Sequence, residues 1–401
     1  MVNRKKDNFI ISIIIMLIVI IFLCTVYFTL DVFGIIKVPA KYSIASLFYS
    51  KIEVIASGAH TIDDENVIDR ENKKKVVVQN NVSKENLATN VEDPLDLMPE
   101  YTESSDNNSI EEEQLNTDRF YYNQLDQYGK ILYDELYNNK DKLKTGTFVA
   151  QYGNKFDNLL KQENGEDVLN KALDSAMNSL VLDNPELFYI DITKMYLLTN
   201  ITTRILSTTY EVSISGNGDS YLEEGFNSEE EVDVAISNIE NIKNEIISNT
   251  SGNTVDKIRY VHNYLIDTVE YDVNAGTGIR DIYGTLINQK AVCEGYAKAF
   301  KYIMDELEIP CILVCGTATN SVGVTENHAW NYVQIDGIWY AVDVTWDDPI
   351  IRGELLGDLP DDIRYGYFLN GSEKFFQNHV EDEQLLDGIA LSYPELSITN
   401  F

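Results

Sequence analysis

Cysteine is scarce in this chain: Cys24, Cys293, Cys311 and Cys315 are the four in 401 residues. Cys24 lies in an apolar run, and Cys311 and Cys315 stand four apart in Ile309–Gly316, which reads as a short buried strand. Four strand residues span roughly 13 Å, too far for a disulfide, whose Cα atoms lie about 4.4–6.8 Å apart. A disulfide framework is therefore excluded. No CxxC pair and no Cys/His cluster has zinc-ligand spacing, so neither a metal nor another cofactor is expected. That leaves Cys293 as the thiol in need of an explanation.

Basic residues are also few, 31 Lys and Arg against 65 Asp and Glu, for a net charge of −34. Such a surface repels phosphates, which argues against nucleic acid as a partner. Hydrophobic residues make up 44% of the chain, enough for a sizeable core in one or two domains.

One long apolar run is present, Phe9 to Leu30, preceded by Arg4, Lys5 and Lys6. A helix of that length covers roughly the 30 Å hydrocarbon core of a bilayer. The run exceeds a signal peptide's apolar region of about 7–15 residues. Val38–Pro39–Ala40 is a poor cleavage site. The expectation is a single-pass, uncleaved anchor over 9–30, with a cytoplasmic tail over 1–8 and the rest of the chain outside the cell membrane.

Residues 31–117 lose periodicity and read as a disordered, acidic stalk, with a basic patch at Lys73–Lys75 and a Ser/Asn-rich acidic segment at Thr102–Glu113. Removing residues 1–115 should then leave a folded protein. Structure is expected to resume near Asp118. Tyr121, Leu125, Tyr128, Leu132 and Leu136 fall on one helical face. Val168, Leu169, Ala172, Leu173, Ala176 and Leu180 predict a second helix, stopped by Asp183–Asn184–Pro185. Leu187–Ile190 and Ile205–Ile214 read as strands. Ser228 with Glu231 forms a capping box for a helix carrying Val232, Ile236, Ile239, Ile242 and Ile246. Residues 118–250 thus read as a mixed α/β region without a chemical constellation of its own.

The chemistry lies further on. Ile258, Val261 and Leu265 mark a helix on which His262 reads as a packed residue. Cys293 opens another helix, with Ala297, Phe300, Met304 and Leu307 on its buried face and Pro310 past its end. A thiol at a helix amino terminus loses its proton more easily, although Glu294 beside it opposes that loss. Gly295 permits a close backbone approach. His328–Ile335 and Ile338–Trp346 read as a β-hairpin around the turn Asp336–Gly337. Its register pairs Ile335 with Ile338, Trp330 with Asp343 and His328 with Thr345. His328 and Asp343 then share a face as diagonal neighbours, roughly 7–8 Å apart at the backbone. Ala329, Asn331, Val333, Ile335, Ile338, Tyr340, Val342 and Val344 form the opposite, core-facing side.

A thiolate, an imidazole and a carboxylate so placed can attack an amide carbonyl, form a thioester and protonate the leaving amine. The backbone N–H of Cys293 is a candidate oxyanion donor, with the Tyr283 side chain as a second. Asp347, Asp348, Asp358, Asp361 and Asp362 read as a solvated acidic loop, since EF-hand spacing is missing.

At these residues the chain resembles the transglutaminase-like superfamily, particularly its secreted or membrane-anchored bacterial members. The resemblance rests on Ile282–Tyr302 (IYGTLINQKAVCEGYAKAFKY), Asn327–Ile335 (NHAWNYVQI) and Gly337–Pro349 (GIWYAVDVTWDDP). The helix Tyr260–Asp272 and the segment Tyr367–His379 (YFLNGSEKFFQNH) are similar to the family's flanking parts. The resemblance implies an α+β, papain-like core over 251–401, with a cysteine-bearing helix against an antiparallel sheet. It also implies Cys293 as nucleophile, His328 as general base and acid, and Asp343 as orienter, acting on a protein or peptide substrate. The family spans cross-linkers, peptidases and members without known activity, so an acyltransferase, a hydrolase and an anchored binding module all stay open.

Overall fold

The computed structural model describes residues 26, 51–58, 119–204, 207–348, 364–385 and 389–401. Helix and sheet are mixed, as the sequence implies, in two four-stranded antiparallel sheets with helices packed around them. Among the described residues no helix is long and apolar enough to cross a membrane. The expected anchor over 9–30, apart from helical Val26, lies outside them.

The first sheet contains Lys51–Gly58 (β1), Ala150–Gly153 (β2), Tyr196–Arg204 (β3) and Ser207–Ser215 (β4), in the order β1-β3-β4-β2. β1 corrects the expectation of disorder for its part of the stalk, because it pairs with β3 from Lys51↔Thr203 to Gly58↔Tyr196. Its Ile52, Val54 and Ile55 are good strand formers, and their signal is diluted by the polar residues around them. The other stalk residues lie outside the described ones. β4 is the strand expected near Ile205–Ile214. Leu187–Ile190, expected as a strand, is not one: Pro185–Leu187 forms a 3-10 turn and only Ile190 makes a bridge, to Leu222. Pro185 sets the turn by fixing φ and removing a donor.

The helix expected from Tyr121 to Leu136 is two, Phe120–Gln124 and Gln127–Asn138. Asp126 breaks it by capping the second, its Oδ1 accepting the Gly129 N–H at 2.7 Å. Gly165–Asp183 ends at the anticipated stop. Ser228 caps Glu229–Asn249, accepting the Glu231 N–H at 3.3 Å. The Glu231 carboxylate reaches back to the N–H of Asn227 instead of Ser228, so the reciprocal half of the box is displaced by one residue. A full capping box, Asn253 with Asp256, starts Thr254–Thr268.

Beyond it, Glu270–Tyr271 (β5) and Lys290–Ala291 (β6) pair in parallel on either side of the short helix Ile282–Leu286. The helix Cys293–Glu306 follows, and then the second sheet: Cys311–Thr319 (β7), Thr325–Ile335 (β8), Ile338–Val342 (β9) and His379–Glu381 (β10), in the order β10-β7-β8-β9. Asp336 and Gly337 both have positive φ, 50° and 83°, which is what a tight hairpin turn requires. β8 and β9 keep the anticipated register from Ile335↔Ile338 to Asn331↔Val342.

Two features of the packing go beyond the pattern. Both faces of the hairpin are covered, since Trp330, Tyr332, Trp339 and Ala341 are buried along with the expected core side, of which only Ile338 is exposed. Phe120, Tyr121, Phe375 and Leu396 close over that second face. The apolar core is also continuous across residue 250, taking in Leu173, Ile239 and Phe300 together. The expected division there separates stretches of sequence and not separate cores.

Candidate active site

Cys293 is the first residue of its helix, half-buried, with Val292 as the extended residue before it. The first turn is wedged against its neighbours at Gly295, where a Cβ would stand 2.5 Å from the Ile279 carbonyl oxygen and 2.8 Å from Thr285 Oγ1. Only glycine fits such an approach, as the sequence suggested. Further along, Ala297 accepts a hydrogen bond at 3.0 Å from Asn331 Nδ2, the polar member of the hairpin's core face. That bond ties the cysteine helix to β8.

His328 lies on β8 opposite Gly316. β9 stops at Val342, and Asp343 starts a short helix, Val344–Asp347, so the anticipated pairs Trp330–Asp343 and His328–Thr345 do not form. The chain leaves the sheet because Asp343 caps that helix, with Oδ1 accepting the Trp346 N–H at 3.1 Å. Its other oxygen, Oδ2, accepts a 2.7 Å bond from His328 Nε2. Acid and base therefore meet as anticipated, through a helix cap instead of a ladder pair.

Asp343 is fully buried and His328 nearly so. Burial disfavours the charged imidazole, yet the Asp343 charge and hydrogen bond, with the Cys293 side chain beyond them, push its pKa up to about 10. Burial likewise opposes ionisation of Asp343, but His328 and then His379 hold its carboxyl well below the usual carboxylate range. At neutral pH His328 is thus an imidazolium bonded to the Asp343 carboxylate, with Cys293 also favouring its charged form. Glu294 next to the thiol is paired with Lys298 at 2.5 Å and Arg280 at 3.5 Å.

Cys293, His328 and Arg280 line one cleft of about 520 Å³. Part of its lining comes from residues 181–192, with Val181, Phe188 and Ile192 beside the polar Asn184 and Asp191. The region before residue 250, which carried no constellation of its own, therefore supplies a wall of the site. Tyr271 is a further lining residue that the sequence did not single out. Burial first, and then the Cys293 charge, raise its pKa to about 12.

Tyr283 does not join the cleft lining. Its ring stacks on Phe188, 5.9 Å between centroids, and packs edge-on to Phe226 at 5.2 Å, so its role here is packing behind the wall. His262 is a buried packed residue as expected, and it bonds Asp347 Oδ2 at 3.0 Å. Asp347 and Asp348 correct the solvated-loop expectation, since both are buried and hydrogen-bonded, Asp348 to the Tyr296 hydroxyl at 2.5 Å. Asp358, Asp361 and Asp362 lie outside the described residues. Cys311 and Cys315 are buried thiols.

His379, at the end of the segment similar to the family's flanking part, reaches the heart of the site. Its Nε2 is 3.2 Å from Asp343 Oδ2. The ligand-capable atoms of His328, Asp343 and His379 lie within 4.8 Å of one another, near enough to hold a metal ion. Two N–H donors converging on one carboxylate oxygen account for the same proximity. No local signal marks His379, because the contact arises only when β10 pairs with β7.

Residues 240–344, which include Cys293, His328 and Asp343, match the model of the transglutaminase-like superfamily. Kyphoscoliosis peptidase of Mus musculus is 25% identical over 155 residues, 35% of this chain and 23% of the mouse protein. The human protein of that name is 25% identical over 141 residues, 32% of this chain and 21% of its own. The chain thus spans less than a quarter of the length of these curated relatives. Among solved structures, the crystal structure of a TGase is similar at 18% identity over 40% of this chain and 45% of that one, with a TM-score of 0.26. The periplasmic domain of TgpA from Pseudomonas aeruginosa is similar at 12% identity over 43% of this chain and 73% of that one, with a TM-score of 0.23.

Proposed function

We propose, from the premise that residues 240–344 form a transglutaminase-like domain, that the chain is a thiol enzyme acting on protein or peptide amide bonds through Cys293, His328 and Asp343. The observation that carries this reading is the buried 2.7 Å bond between His328 and Asp343, with Cys293 and His328 lining the same cleft. The Cys293 thiolate attacks the amide carbonyl carbon, and the electron pair moves onto the oxygen. The Cys293 N–H, one of the helix's opening donors without an intrahelical partner, faces that charge. Collapse to a thioester expels the amine, which takes its proton from the His328 imidazolium. An incoming amine or water then attacks the thioester and returns a proton to His328, while Asp343 keeps the ring oriented.

Transfer to an amine and hydrolysis by water share every step up to the acceptor. Hydrolysis is kept as a second reading because the curated relatives carry the name peptidase. Incubation with a protein mixture and a primary-amine probe separates them when the wild type is compared with Cys293→Ala. Probe incorporation lost in the variant means transfer, new cleavage lost in the variant means hydrolysis, and the absence of both leaves a binding module and defeats the enzyme reading.

The proposal places this chemistry outside the cell membrane. The apolar run Phe9–Leu30 behind Arg4, Lys5 and Lys6 supports it, being long enough to span and oriented by the positive charges. Protease added to intact cells should cleave the part beyond residue 30, and full protection would overturn the placement.

A further inference from the structure

We propose that His379 is a positioning residue of this site, holding the Asp343 carboxylate from the side away from His328 and so fixing the imidazole that serves Cys293. The inference rests on the thiol-enzyme reading above and adds a residue outside the stretch matched by the family model.

Asp343 is buried, and three donors meet it. Trp346 N–H takes Oδ1 at 3.1 Å, while His328 Nε2 at 2.7 Å and His379 Nε2 at 3.2 Å share Oδ2. An ionised carboxylate only accepts, so the nitrogen His379 turns toward it must carry a proton. Its other nitrogen, Nδ1, donates to Asn378 Oδ1 at 2.9 Å, and Asn378 Nδ2 donates to the Tyr367 hydroxyl at 2.9 Å. Both ends of the ring are thereby fixed. Its faces are fixed as well, by Phe375 stacked at 4.1 Å and Trp346 tilted at 4.7 Å. A fully buried histidine with both nitrogens engaged and two aromatic walls has little freedom to rotate away.

The device is delivered by β10. Gly316 lets that strand lie close, because a Cβ there would stand 2.1 Å from the Val380 carbonyl oxygen. Gly316 is also the ladder partner of His328. The strand that carries His379 and the strand that carries His328 therefore flank the same residue of β7. A catalytic carboxylate with one oxygen on a helix cap and the other between two imidazoles cannot swing, and its partner's orientation follows.

Besides the two histidines, the titratable groups that feel Asp343 are Asp347 one helical turn on and Tyr271 across the cleft, with Cys293 acting through His328. Removing His379 takes a donor from the ionised carboxylate, so protonation of Asp343 moves to higher pH. The acid limb of Cys293 reactivity must move with it.

The test uses the full-length protein with iodoacetamide as probe, reading the Cys293 alkylation rate against pH and the thermal midpoint on the same samples. His379→Phe fills the stacked slot without a donor, and His379→Gln returns an N–H. The Phe variant should alkylate about 10-fold more slowly at neutral pH, the order seen when a partner orienting a site imidazole is lost, with its acid limb at higher pH. The Gln variant should recover both. A Phe variant with wild-type rate and limb, or Phe and Gln variants equally impaired, overturns the proposal. A variant too unstable to assay leaves a direct measurement on the wild type: with 15N-labelled histidine, Nε2 of His379 must be protonated at pH 7, and a bare Nε2 overturns it. If wild-type Cys293 reacts no faster than an ordinary exposed thiol, the enzyme reading itself has failed. A reactive wild type with an unaffected Phe variant removes His379 alone.

Discussion

Asp347 stands one helical turn beyond Asp343, and its Oδ2 is bonded to His262 at 3.0 Å with both side chains fully buried. One short helix thus offers two carboxylates to two histidines from different parts of the chain. The pairs differ in electrostatic character. Asp343 is held well below the usual carboxylate range, whereas burial, opposed by His262, pushes Asp347 up to about 6.

Burial also raises Asp183 and Asp281, each to about 7. A carboxyl whose folded pKa is raised stabilises the fold fully below the unfolded value of about 4 and loses that contribution as pH climbs through the folded value. Urea midpoints should therefore fall between pH 5 and pH 8. Asp281 Oδ1 alone caps its helix, accepting from Tyr283 N and Gly284 N, so Asp281→Asn keeps the cap and removes one titration. The variant's midpoints should vary less over this range, and an unchanged slope would contradict the assignment.

Cys293 should be alkylated by iodoacetamide in the native protein, while Cys311 and Cys315 should react only after unfolding. Cys311 is fully buried, and that burial pushes its thiol pKa far up. Mass-spectrometric mapping of the label gives the comparison, and equal slow labelling of all three would count against the site.

Asp343→Asn should lower turnover about 10³–10⁴-fold, the order expected when a catalytic imidazole loses its orienting carboxylate. The same change alters stability at high pH. His328, with its pKa raised to about 10, stabilises the fold fully below about 6.5 and loses that contribution as pH rises through 10. The wild type should lose thermal midpoint between pH 7 and pH 10, and Asp343→Asn should lose less.

Gly295→Ala should destabilise the fold by about 1–3 kcal/mol, since a methyl group 2.5 Å from a carbonyl oxygen forces the helix start to move. Cys293 is two residues away, so alkylation should slow in the folded variant as well. Denaturant titration and the labelling rate test the two effects separately.

Deletion of residues 1–115, harmless on the sequence reading, should now impair the protein. It removes β1 and leaves β3 with a free edge from Tyr196 to Arg204. A chain starting near residue 45 should remain monodisperse in size-exclusion chromatography, and one starting at 116 should aggregate.

Much of this was determined by the sequence alone. Helix periodicity located the Cys293 helix, and Asp336–Gly337 with alternating apolar residues set the hairpin register, because these signals act over a few residues. The same register predicted His328 near Asp343, and a helix cap past Asn331↔Val342 completes the approach. Tertiary structure decided what depends on remote partners. Whether Lys51–Gly58 is ordered depends on β3, nearly 140 residues on, and whether Asp347 is solvated depends on His262. The end of β9 was set by Asp343, whose side chain caps the next helix while its N–H goes to the Tyr367 carbonyl instead of a ladder partner. His379 reaches Asp343 only because β10 closes on β7, a contact that no window along the chain contains.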